Sequence, residues 1–167
     1  MKSQKTFLLT LNAFAIATLL CLQALPAAAA TEGSFQRTLP VTGPVRMDLT
    51  TGSGDVRVRA SNSNQVQISG HIRASEWFAG NVEEKIRRLE ANPPIQQSGN
   101  DIRIGHIDDP ELRHNISISY EVTVPAETEL RVETGSGSQT VEGIRGPLEV
   151  SAGSGELKVS EIVVSAN

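Results

Sequence analysis

The chain has 167 residues, one cysteine and 15 Lys+Arg against 19 Asp+Glu, a formal net charge of −4. That length holds one ordinary domain, with or without a processed segment, and excludes a multi-domain machine. The charge excludes a strong basic field, so neither nucleic acid nor an anionic membrane surface is an expected partner.

Lys2 and Lys5 open the chain, and an apolar run follows from Phe7 to Leu25, interrupted by Asn12 and Gln23. Pro26 breaks the run before Ala27-Ala28-Ala29-Ala30. A basic start, an apolar middle and an Ala-x-Ala exit are the parts of a secretory signal peptide. Residues 1–30 are therefore expected to be a signal peptide and residues 31–167 one exported domain, in the periplasm, cell envelope or outside the cell. Membrane contact is expected only through the signal during export. Cys21 follows the bulky Leu20, whereas a lipid-attachment cysteine needs a small residue before it, so Cys21 reads as one more apolar residue of the run. The mature chain then has no cysteine, which excludes disulfides and thiolate metal sites.

Along the mature chain, period-two alternation recurs at Val56–Ala60, Val66–Ile72, Ile102–Ile104 and Ile116–Val124. Each is a strand with one apolar and one polar face, and Pro125 closes the longest because it cannot donate to a ladder. One stretch departs from this. Val82, Ile86 and Leu89 fall at i, i+4 and i+7, Asn81 and Glu84 suggest a capping box, and Glu83–Arg87 and Glu84–Arg88 are favourable i,i+4 pairs. An amphipathic helix over about 81–92 is predicted, stopped by Pro93-Pro94 and covering a sheet face, with Trp77 and Phe78 as its anchors.

An internal repeat dominates the rest. Thr134-Gly135-Ser136-Gly137 recurs as Ala152-Gly153-Ser154-Gly155 at an offset of 18, and that offset also carries Leu130 to Leu148, Val132 to Val150, Val141 to Val159 and Ile144 to Ile162. An earlier copy, Thr51-Gly52-Ser53-Gly54, lies in a segment whose Met47, Leu49 and Val58 match Leu148, Val150 and Val159 at an offset of 101. Each unit reads as strand, Gly-Ser-Gly corner, strand. Gly52, Gly54, Gly135, Gly137, Gly153 and Gly155 are assigned as structural corners, where a tight turn needs positive φ or close backbone approach. The fold expected is all-β and β-solenoid-like, with a twisted sandwich or meander as the alternative and one inserted helix.

Thr51-Gly52-Ser53-Gly54-Asp55-Val56-Arg57-Val58, the later Gly-Ser-Gly units and the run Pro94–Ile104 resemble a family of bacterial exported proteins, a domain of unknown function labelled putative adhesin. The resemblance spans about Val45 to Ile162. It implies an all-β repeat fold outside the cytoplasm that serves as a scaffold for contact with proteins or surfaces. Members of that family often carry more repeats, so it also implies a short or truncated member here.

Catalytic chemistry finds little footing. Ser53, Ser136 and Ser154 lack the Gly-x-Ser-x-Gly spacing and the following helix of a nucleophile elbow. A phosphate loop would need a lysine and a helix after the glycines. The residue after each corner is Asp55, Ser138 or Glu156, so the carboxylates that calcium needs are not repeated. The densest titratable cluster runs from His106 to His114, and His106, Asp108, Asp109 and His114 are the only candidates for metal ligation. The reading preferred for it is a polar hairpin loop between the Ile102 and Ile116 strands, begun by Asp109-Pro110. His71 reads as an exposed strand residue. No cofactor is called for and no enzyme is expected. A small-ligand, polysaccharide or metal-binding module is the alternative to a protein-binding scaffold, although aromatic residues make up only 4% of the chain, few for stacking on sugars. The last residues, Glu161–Asn167, bring no helix or proline to cap a stack, so the C-terminal edge is expected to fray or to bind a protein or cell-surface partner by β-strand addition.

Overall fold

The computed structural model describes residues 32–74, 81–113 and 115–161. The expected signal peptide with Cys21, the aromatic pair Trp77 and Phe78, and His114 and Ile162 lie outside the described residues. In chain order the elements are β1 (Glu32–Pro40), β2 (Arg46–Ser53), β3 (Val56–Ser61), β4 (Gln65–Ala74), helix α1 (Val82–Ala91), β5 (Ile95–Ser98), β6 (Asp101–Ile104), the short helix α2 (Pro110–Arg113), β7 (Ile116–Pro125), β8 (Glu129–Ser136), β9 (Gln139–Glu142), β10 (Leu148–Ser154) and β11 (Leu157–Ser160).

The strands form two mixed sheets. One has the order β1-β4-β7-β3-β9-β11 and the other β10-β8-β2-β6-β5. Alternation decides which side chains turn inward: Met47 and Leu49 of β2, Ile102 and Ile104 of β6, Leu130 and Val132 of β8 from one sheet; Val56 and Val58 of β3, Val66, Ile68 and Ile72 of β4, Ile118, Tyr120, Val122 and Val124 of β7 from the other. All are buried and join one continuous core. The described residues are thus all-β with one substantial helix.

The 18-residue offset is a pairing register. β10 lies parallel to β8 with Leu148 beside Leu130 and Val150 beside Val132, and β11 lies parallel to β9 with Val159 beside Val141. β2 and β3 run parallel on the other side of β8 and β9, with Leu49 beside Val132 and Val58 beside Val141. Three strand–corner–strand units therefore stack in parallel. The sheets do not close into a solenoid among the described residues. β1, β4 and β5 add antiparallel to the stack, because Ile68–Ile72 pairs Ile118–Val122 in reverse and Gly99-Asn100 turns β5 back onto β6.

Helix α1 forms where the 3.6-residue period placed it, burying Ile86 and Leu89. The capping box does not form: Asn81 is left-handed at φ 58, and its side chain makes no cap bond, since a side-chain cap requires an extended residue there. Nor is Arg88 held by Glu84; it reaches Asp109 at 3.2 Å. The helix packs on β1 instead. A Cβ at Gly33 would collide with Ile86, Ser34 N–H donates to Glu90 Oε1 at 2.9 Å, and Arg37 donates to the helix-end carbonyls of Glu90 at 3.3 Å and Ala91 at 3.2 Å. Those carbonyls would otherwise lack partners at the helix terminus.

The connection expected as a hairpin loop is a crossover. β6 and β7 belong to different sheets, and residues 105–115 carry the chain between them. Asp109-Pro110 opens the turn of α2, with Leu112 N–H donating to Asp109 O at 3.1 Å, as suits a proline, whose missing N–H is no loss at a helix start.

Candidate functional site at the C-terminal edge

The sequence candidates for metal chemistry do not converge. His106 Nε2 lies 3.0 Å from Asp108 Oδ1, and both side chains are more than two-thirds exposed. Asp109 is turned toward Arg88 on α1, and His114 lies outside the described residues. Among the described residues no three His, Cys, Asp or Glu side chains come together. His71 is half exposed, 3.8 Å from Glu32.

The corner glycines divide between positive φ and close backbone approach, and Gly52 takes neither role. Gly54, Gly137 and Gly155, the second glycine of each corner, carry φ of 127, 134 and 134. The first glycines are not in the left-handed region. At two of them close approach takes its place. A Cβ on Gly135 would stand 2.5 Å from Gly52 O, and one on Gly153 would stand 2.6 Å from Gly135 O. Gly52 itself has open space at that position. Each unit thus lays its corner on the carbonyls of the unit before it. Backbone bonds tie the same corners: Gly54 N–H to Ser136 O at 3.2 Å, Gly137 N–H to Ser154 O at 3.1 Å, Val56 N–H to Ser138 O at 2.9 Å and Gln139 N–H to Glu156 O at 2.8 Å.

The outer faces carry ordered charge. Arg103, Asp48, Arg131 and Glu149 are register neighbours across β6, β2, β8 and β10, so sign alternates from strand to strand. A second row places Arg46 between Asp101 at 3.7 Å and Glu129 at 3.2 Å. On the other sheet Arg57 meets Glu121 at 3.3 Å and Arg59 meets Glu142 at 3.0 Å. The guanidinium of Arg131 holds its proton more firmly than a free arginine through its hydrogen bond and charge attraction to Glu133, with Glu149 adding to the effect. A groove of about 630 Å³ over Arg46, Asp48, Gln96, Gln97, Asp101 and Arg103 belongs to this solvated face. These are exposed pairs, which fix register more than they add stability.

The stack changes character at its last unit. Gln139 and Val141 are fully buried, but their neighbours Leu157 and Val159 are 46% and 43% exposed. Leu148 and Val150 are only partly buried. Among the described residues β10 pairs only with β8 and β11 only with β9, so both strands stand at the edges of their sheets. One unit inward, Gln139 Nε2 donates to Ser151 O at 2.7 Å, tying the last unit to the core. The buried hydroxyls of Thr134 and Tyr120 and Gln139 Oε1 have no hydrogen-bond partner among the described residues. Burial raises the Tyr120 phenol well above the ordinary tyrosine range. Among the described residues no helix is long and apolar enough to cross a membrane. The repeat offset, which aligns Val159 with Val141, marks Val159 as an inward position; its exposure depends on what stacks above it, which the pattern does not encode.

No protein-family model and no curated protein matches the chain. Among solved structures it is similar to a putative cell adhesion protein from Clostridium sporogenes, with 14% identity and a TM-score of 0.51 over 74% of this chain. The chain spans 58% of that protein's length. It also aligns with a putative lipid binding protein from Parabacteroides distasonis, at 12% identity and a TM-score of 0.40 over 71% of this chain and 46% of that one. The first likeness shows a shared fold.

Proposed function

We propose that the chain is a non-enzymatic, exported envelope or surface protein whose stacked β units form a solenoid-type scaffold that binds another protein by strand addition at β10 and β11. The exposed apolar pair Leu157 and Val159, on a strand whose outer edge pairs with no described residue, carries this reading. Free edges with apolar inward positions are templates for another strand, and soluble proteins usually blunt them. Export rests on Lys2, Lys5, the apolar run to Leu25 and the alanines before Thr31. The fold shared with a protein described as a putative cell adhesion protein supports a surface role. The test is capture of envelope proteins on the immobilised mature chain. Leu157→Lys and Val159→Lys are expected to lose the captured partner while Arg73→Ala, in β4 near the opposite end of the sheet from β11, retains it. Equal capture by all three variants would refute the reading.

A further inference from the structure

We infer that the groove over β5, β6 and β2 is a binding site for a carboxylated sugar, a uronic acid or a short oligomer of one. Its carboxylate pairs with Arg103, and its hydroxyls bond Asp48, Gln96 and Ser98. This site lies away from β10 and β11 and does not rest on the strand-addition reading.

The charge pattern of the sheet places the carboxylate. On the strands, Arg46, Arg57, Arg59, Arg73 and Arg131 each make an ion pair. Arg103 makes none among the described residues. Its register neighbours give the reason. From β5 to β10 the row reads Gln96, Arg103, Asp48, Arg131, Glu149, so Gln96 stands where the alternation calls for an acid. Asp48 is shared: it lies beside both arginines, adds to the field on Arg131 and accepts from the Thr50 hydroxyl at 3.5 Å. The exposed guanidinium of Arg103 therefore presents its planar fork of donors to a carboxylate supplied from outside, the geometry of a two-bond pair.

The rest of the groove selects a sugar. Its volume of about 630 Å³ lies within the usual range for ligand clefts. The row Gln96, Arg103, Asp48 crosses three strands and spans about 10 Å. Gln96 and Ser98 are exposed, and their side chains bond no described residue. An amide and a hydroxyl both donate and accept, whereas the Asp48 carboxylate only accepts. Neighbouring sugar hydroxyls suit that mixture, since each donates to one group while accepting from another. The groove has no aromatic lining, so its ligand is held by charge and hydroxyls rather than by ring stacking. A peptide finds less to hold. Pro93-Pro94 precede β5, and the Ile95 N–H already donates to Pro93 O at 2.7 Å, so the edge beside the groove offers little backbone for pairing.

The probe is trigalacturonate, titrated at low salt into the purified mature chain while backbone amide and arginine side-chain resonances are followed. Neutral galactotriose and a triglutamate peptide are the comparators. Shifts around Arg46–Asp48, Gln96–Ser98 and Asp101–Arg103 are expected with trigalacturonate alone, and they should weaken as salt is raised. Arg103→Gln should bind at least about tenfold more weakly. Gln96→Glu should weaken binding as much, because it supplies the missing acid from within the sheet while keeping the arginine. Arg73→Ala and Leu157→Lys should bind like the parent, so loss of a captured protein in Leu157→Lys leaves this site standing and separates the two readings. Equal binding of galactotriose would remove the role of Arg103, and equal binding of triglutamate would refute the sugar. An absence of shifts up to about 10 mM, shifts elsewhere on the chain, or unchanged affinity in Arg103→Gln and Gln96→Glu would overturn the site itself.

Discussion

Gly52→Ala and Gly135→Ala place the same change at the same corner position of two stacked units, yet the structure assigns them opposite outcomes. A Cβ at residue 52 meets nothing within 4 Å, whereas at residue 135 it stands 2.5 Å from Gly52 O, where ordinary contact begins at 3.4 Å. The β2–β8 corner would have to open by most of an ångström. That strains the 3.2 Å bond from Gly54 N–H to Ser136 O and its neighbours, at about 1 kcal/mol per bond lost. Local backbone strain adds about 1–3 kcal/mol. Against this, removing glycine restricts the unfolded chain and returns about 0.4–1 kcal/mol. Gly135→Ala should therefore destabilise by about 1–3 kcal/mol, and Gly52→Ala should be neutral or slightly stabilising. Urea unfolding followed by far-ultraviolet circular dichroism measures both, with the midpoint moving and the slope unchanged. Equal losses at the two positions would refute the stacking argument, because they would mean that the corner glycines serve local turns rather than contact between units.

Leu49→Ala, at a fully buried site between the sheets, should cost about 2–5 kcal/mol by the same assay. Arg46→Ala should cost less than about 1 kcal/mol despite two ion pairs, since both are exposed, and the difference should shrink in high salt. Tyr120 is the only tyrosine, so the phenolate absorbance band reports one group. Its folded pKa is raised, so its contribution is whole below the unfolded value of about 10 and declines as pH climbs through the range up to the folded value. The band should appear only with alkaline unfolding, and a reversible titration near pH 10 in the folded chain would contradict the burial.

Much of the architecture was legible because alternation and the 18-residue offset are direct consequences of strand pairing. The apolar positions Val132, Val150, Val141 and Val159 fall on one another in the parallel ladders as the offset implies. What the pattern hid depends on partners distant in sequence. β1 carries Gly33 where the apolar alternation through Phe35 and Leu39 would continue, because a Cβ there would collide with Ile86 of α1. The crossover between β6 and β7 looked like a hairpin because both strands are apolar-alternating and polar residues separate them; only the assignment of each to a different sheet distinguishes the two. At the site, the glycines were recognisable, but their division of labour was not. Positive φ belongs to Gly54, Gly137 and Gly155, while Gly135 and Gly153 are required by the carbonyl beneath them.

Amide exchange on the mature chain, shown to be monomeric by sedimentation, tests the open edge most directly. The amides of Leu157 and Val159 should exchange far faster than those of Val122 and Val124 in β7, which has a hydrogen-bonded strand on each side. Equal protection in the two strands would mean that β11 is not a free edge, and would contradict the account of this chain as a scaffold with an open binding end.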